Sequence, residues 1–165
     1  MAADYYLKIG DIKGEVMVKT DGLEGTMQIQ NWSWGESNTS SWTAGKGLSG
    51  GKVHFSSFNF GIVQGQASAD LIRHCAVGTH FATAKLTCRK STGDETPKPF
   101  LEIEFNDLVI ESYQTGGSGG PDIYDSCSFA FTKVTYTYKT QDQDGNVAVS
   151  NTMTYDTKAV EGKAA

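Results

Sequence analysis

The feature that most constrains this chain is an alternation of apolar and polar residues that repeatedly slips by one. "FATAKLTCRK" alternates cleanly, with Ala82, Ala84, Leu86 and Cys88 on one face and Thr83, Lys85, Thr87 and Arg89 on the other. That is the period of a half-buried strand. Four other segments alternate and then change parity. Met27 and Ile29 give way to Trp32 and Trp34. Val53 and Phe55 give way to Phe58, Phe60 and Ile62. Leu101, Ile103 and Phe105 give way to Leu108 and Ile110, and Cys127, Phe129 and Phe131 to Val134, Tyr136 and Tyr138. A one-residue slip carries an apolar set to the opposite face of its strand. Either bulges bend a sheet toward closure, or each strand buries one face in its own core and the other against something else. Both fit a small barrel that has a partner.

One helix is expected over about 68–77, in "SADLIRHCAVG", with Ser68 as N-cap, Gly78 as terminator and Leu71, Ile72 and Cys75 as the apolar face. Asp144-Gly145 marks a hairpin turn. The strand after it, "VAVSNTMTY", places Val147, Val149, Met153 and Tyr155 on one face. "KSTGDETPKPF" and "YQTGGSGGPDIY" read as turns or loops, and the tail over about 158–165 should fray. At 165 residues, with no repeat or linker, the chain reads as one domain over 1–165. The fold class is mainly β: a small β-barrel of bent antiparallel strands, one short flanking α-helix and a long extended loop.

Composition removes several functions. The net charge is −5 and the 14 Lys and Arg are scattered, so no basic stripe awaits nucleic acid. No apolar run reaches the roughly 20 residues of a membrane-spanning helix. The N-terminus lacks the basic start and apolar segment of a cleaved signal, so translation should leave the chain in the cytosol with Cys75, Cys88 and Cys127 reduced. "GKGLSGGKV" fails the phosphate-loop pattern, because Lys46 holds the first glycine position and Val53 the final Ser or Thr. "TGGSGGPD" is not a dinucleotide fingerprint. Asp142, Asp144 and Asn146 lack the Glu that a calcium loop needs. His54, His74 and His80 form no zinc spacing with the cysteines, and each cysteine sits at an apolar position, unlike a nucleophile. Glu102 and Glu104 read as the polar face of a sheet. No catalytic residue, metal ligand or cofactor site is expected.

Interaction surface remains. Gly35 to Gly51 is a 17-residue arm with no periodicity, longer than compact domains tolerate without a function. Trp42 and Leu48 on it are apolar anchors suited to reaching a neighbour, although Trp42 folding back onto its own core is the bland alternative.

"YYLKIGDIKGE", "WSWGES" with its Ser/Gly arm, "GKVHFSSFNF", "SADLIRHCAVG" and "FLEIEFNDLVIESYQTGGSGG" occur in one order over about residues 4–140. Together they resemble the haemolysin-coregulated protein (Hcp) family, the tube subunits of the bacterial type VI secretion system. The resemblance implies a β-barrel assembled as a homohexamer, with ring-on-ring stacking into a tube beneath a spike and inside a sheath. Effectors ride in the channel, and export needs no cleaved signal and no membrane insertion. The chain ends without an appended domain, so it is not expected to be one of the fused variants that carry a toxic C-terminal domain. The family's long loop corresponds here to Glu36–Gly51, which makes Glu36, Trp42, Lys46 and Leu48 candidates for intersubunit or stacking contacts. Thr115 and Ser118, in "TGGSGG", are candidate effector or channel positions because small residues admit a cargo backbone. The rival reading is a monomeric carbohydrate- or peptide-binding β-module using Trp32, Trp34 or Trp42 as stacking platforms.

Overall fold

The computed structural model describes residues 3–91, 93, 96–159 and 161–164. Its strands are β1 (Ala3–Ile9), β2 (Met27–Ile29), β3 (Asn31–Ser33), β4 (Glu36–Thr43), β5 (Gly47–Phe55), β6 (Phe58–Val63), β7 (His80–Lys90), β8 (Lys98–Gly117), β9 (Ile123–Gln141), β10 (Val147–Asp156) and β11 (Glu161–Ala164). The helix α1 spans Ala67–Val77. Nine strands form one sheet in the order β11-β10-β9-β8-β7-β1-β2, with β6 joining β9 to β3. The long β9 makes near-closure possible. Its first half pairs with β6 and its second half with β10, while β8 runs along both.

The four slips have two physical origins. Two are strand breaks. The chain leaves β2, paired with β1, and enters β3, paired with β6; likewise it leaves β5, paired with β4, and enters β6, paired with β9. The other two lie on one crease. Phe81 pairs with Leu108 and Thr83 with Asn106; Asn106 pairs with Lys133 and Leu108 with Phe131. Ala82, Asp107 and Thr132 therefore stand abreast on three adjacent strands, and the buried set changes parity there on all three. Asp107 takes φ 52, a left-handed conformation that Asp tolerates better than most residues. Lys158 and His80 both pair with its carboxylate.

The core is aromatic. Phe58 lies 4.9 Å from Phe105 and 5.0 Å from Phe129, ring centre to ring centre, and stacks on Trp32 at 6.0 Å. Leu7, Ile9, Leu86, Ile103 and Val134 are fully buried around them.

Several local expectations are revised. Gly78 ends α1 at φ 72, as its placement predicts, but Gln66 rather than Ser68 is the N-cap. Ser68 is buried, accepts a bond from the Gly65 amide and donates to Asp125 Oδ2 at 2.6 Å. Ile72 is exposed because the inward face takes Ala67, Ser68, Leu71 and Cys75. On β7, Ala82 is exposed at the crease, while Thr87 and Arg89 are buried. Arg89 donates from Nε and Nη2 to the Pro97 carbonyl and pairs with Asp21, which satisfies its charge. A bulge at Ser150 puts Val149 and Met153 on opposite faces of β10. The first half of "TGGSGG" belongs to β8, and the tail forms β11 against β10 instead of fraying over 161–164. Val160 and Ala165, within the same expected tail, lie outside the described residues.

Candidate intersubunit arm

The segment expected to be an irregular loop is a β-hairpin. Strands β4 and β5 pair from Glu36↔Phe55 at the base to Trp42↔Leu48 and Thr43↔Gly47 near the tip, and form a sheet of their own. Glycine builds it. Gly45 and Gly47 turn the tip with φ of 88 and 79, and the Lys46 amide donates to the Thr43 carbonyl. At the irregularity between Asn38 and Ser40, a Cβ on Gly51 would lie 2.0 Å from the Thr39 carbonyl oxygen. The Gly51 amide donates instead to Asn38 Oδ1 at 2.8 Å. On the polar face, Ser41 and Ser49 join their hydroxyls across the strands at 2.9 Å.

The arm meets the body at a narrow base. The Ser56 amide donates to the Gly35 carbonyl, and the Gly35 amide donates to Ser56 Oγ. Trp34 anchors the joint, 5.8 Å from Phe55, 6.2 Å from Phe105 and 6.0 Å from Phe131 between ring centres. Beyond that clasp every residue from 36 to 52 is exposed. Trp42 is 73% exposed and Leu48 75%, side by side on one face. Trp42 therefore does not cover its own core. An isolated two-stranded hairpin is marginal in water, so this arm gains most from a surface that covers it. Removing either anchor from water stabilises by about 2 kcal/mol. Glu36 lies at the base and Lys46 in the tip turn, both exposed.

Thr115 and Ser118 lie elsewhere. Thr115 is on β8 opposite Asp125, exposed, and Ser118 opens the turn before β9. Trp32 and Trp34 are half-buried in ring clusters, so they form no open stacking platform.

Several of the other groups read for chemistry are buried or paired. Burial pushes the Cys88 thiol up to about 12; burial, then Asp125 and Cys75, push Cys127 up to about 12, the reverse of an activated nucleophile. Burial alone would raise Glu102, but hydrogen bonds and charge from Lys139 and Lys85 outweigh it and hold the carboxyl below its usual range. Asp142 turns its Oδ1 to the amides of Asp144 and Asn146, closing the hairpin tip. Among the described residues no group of three His, Cys, Asp or Glu is arranged to hold a metal ion, and no helix is long and apolar enough to cross a membrane.

Besides Arg89, a buried acid escaped sequence reasoning. Asp125 is 1% exposed, Ser68 holds its Oδ2, and the Tyr113 hydroxyl lies beside it. Its signal was an acid at a core position of "IYDSCSF", where Cys127 and Phe129 continue the same parity.

The profile of the family described as type VI secretion system effector, Hcp, matches residues 6–138. The chain is 36% identical over 146 residues to the protein hcp1 of Pseudomonas aeruginosa, covering 88% of each. It superposes on Hcp1 of Salmonella typhimurium with a TM-score of 0.78 at 29% identity, covering 99% of this chain and 100% of that one. A type six secretion system protein of known structure matches with a TM-score of 0.88 at 25% identity, over 98% of this chain and 100% of that one.

Proposed function

The chain belongs to the Hcp family of the type VI secretion system, and from that premise we propose that it is a tube subunit, six copies of which close into a ring. Rings stack into a tube that a contractile sheath drives, with its spike, into a target cell, and the channel carries and shields small effector proteins. The role is structural and involves no catalysis. The subunit leaves the cytoplasm through the machine itself. The observation that carries this reading is the arm: a protruding hairpin with paired apolar anchors, held to the body only at its base. In a closed assembly such a feature has a neighbour within reach. Trp42 and Leu48 are the proposed anchors, with Lys46 and Glu36 placed to pair with charges around them. Thr115 and Ser118, at the far end of β8, remain the proposed rim or channel positions.

Native mass measurement tests the assembly, with a sixfold mass expected and a monomer at all concentrations overturning it. Trp42→Ala tests the arm. Hexamers should persist while stacking into tubes weakens by tenfold or more, about the 1.4 kcal/mol that a buried anchor exceeds. Unchanged stacking would remove Trp42 from the contact.

A further inference from the structure

The arm is the outer part of a longer ladder. Asn31↔Gly61, Trp32↔Phe60 and Ser33↔Asn59 join β3 to β6. After the clasp at Gly35 and Ser56 the pairing resumes at Glu36↔Phe55 and runs to Thr43↔Gly47. The arm therefore leaves the barrel at the start of β6 and points away from the end of that strand. The eight residues of β4 carry the tip roughly 25 Å beyond the clasp at the usual rise of a strand.

At the other end of the ladder the strands part. Strand β2 turns away to pair with β1, so past Gly61 the strand β6 is paired only with β9. The split opens a groove of about 330 Å³ between β2, the end of β6, the first turn of α1 and residues 14–16. That is at the low end of the ~300–1,000 Å³ of ligand sites, room for one or two side chains. Buried Met27 and Ile62 lie in its floor beside the partly exposed Val63. Gln28 and Gln64 stand on its rim, with carboxamides that can donate to or accept from a backbone. Among the described residues Glu15 is the one charged side chain that lines it, and the Gln66 amide donates to its Oε1 at 2.9 Å.

The arm tip is the complement of this groove. Trp42 and Leu48 are apolar and uncovered, and Lys46 is the only charged residue from Ser37 to Gly51. Two tips that met each other would bring like charges together, whereas the groove offers the opposite charge. A chain does not reach its own groove, because one ladder holds arm and groove at opposite ends. Contact between two copies is then head to tail, and a head-to-tail contact that does not close repeats without limit.

Resting on the stacking reading, we propose that the groove at the β2–β6 split receives the arm tip of a copy in the adjacent ring. Trp42 and Leu48 lie over its apolar floor, and Lys46 meets Glu15. Each subunit thus presents an arm at one face of the ring and a groove at the other, which gives the stack a direction.

Rings of Ala44→Cys and rings of Gln64→Cys, prepared separately, test the assignment, with the unsubstituted chain as background for Cys75. The two are mixed, pelleted as tubes and treated with a short bis-maleimide. A two-chain band is expected, tenfold or more above that from either ring mixed with unsubstituted rings. Gln28→Cys in place of Gln64→Cys should give the same band from β2. Pelleted tubes without the band overturn the assignment. Gln64→Cys rings that fail to pellet where unsubstituted rings pellet would themselves place the groove in the contact. The double variant Ala44→Cys/Gln64→Cys, diluted to single rings, should give no band; a band there puts the arm in a groove of its own ring and overturns the head-to-tail contact. Unsubstituted rings that never pellet remove the stacking reading itself, so the failures are distinct.

Discussion

At the scale of single residues, the fold depends on positions where size or charge leaves no latitude. Phe58 fills the centre of the aromatic core, so Phe58→Ala should cost about 3–5 kcal/mol, read as a lowered midpoint in denaturant. Gly51 is as constrained, but in the arm: the Thr39 carbonyl occupies the space a Cβ needs. Gly51→Ala should leave the thermal midpoint of the body unchanged while making the arm sensitive to limited proteolysis. An arm as resistant as before would mean that the hairpin absorbs the contact. The cores of these strands were legible from alternation alone, whereas Asp125 and Arg89 were not. Both sit where a charge is normally excluded, and only the tertiary partners Ser68, Pro97 and Asp21 make their burial tolerable.

At the scale of elements, the slips were visible in the sequence but their causes were not. Parity shows that a strand changes face; it does not tell whether the chain changed partner, as at Gln30 and Ser56, or bent beside its neighbours, as at Asp107. The arm was misread for a related reason. Gly and Asn have low strand propensity, and here pairing comes from glycine geometry and cross-strand serines. The crease gives a sharp test. Asp107→Val forces a β-branched residue into φ 52, which should cost about 1–2 kcal/mol, while Asp107→Gly relieves the backbone and, like Asp107→Val, loses the exposed ion pairs and the bond from Thr132 Oγ1. Equal losses in the two variants would show that the pairs, not the backbone, hold the bend. The ladder below the crease is pH-sensitive. Glu102 is depressed in the folded state, so its contribution is present above the usual carboxylate range and is lost as pH falls through the folded value. Glu102→Gln should therefore cost about 0.5–1 kcal/mol at neutral pH. It should also flatten the acid side of a stability-versus-pH curve.

At the scale of the whole molecule, charge is the term to be overcome. In the proposed ring, six copies at −5 would carry about −30 over subunits that must nonetheless touch. The charges are unevenly placed: on the sheet Glu102 is neutralised by Lys85 and Lys139, while the arm carries Glu36, Lys46 and Lys52 over its exposed length. In the proposed tube, stacking relies on the arm, whose two apolar anchors have little area behind them. On the same proposal, ring closure is left to the broader flanks of the barrel. Repulsion between whole rings is thus set against a small contact, and repulsion within a ring against a large one. Salt shortens the reach of both repulsions to roughly 10 Å at 0.1 M without weakening apolar burial. Tube length should rise steeply between low and moderate salt, while the sixfold mass persists across the series. Sedimentation at a fixed micromolar concentration reads both species at once. Rings that dissociate at low salt before tubes shorten would reverse this order and place the weaker contact within the ring.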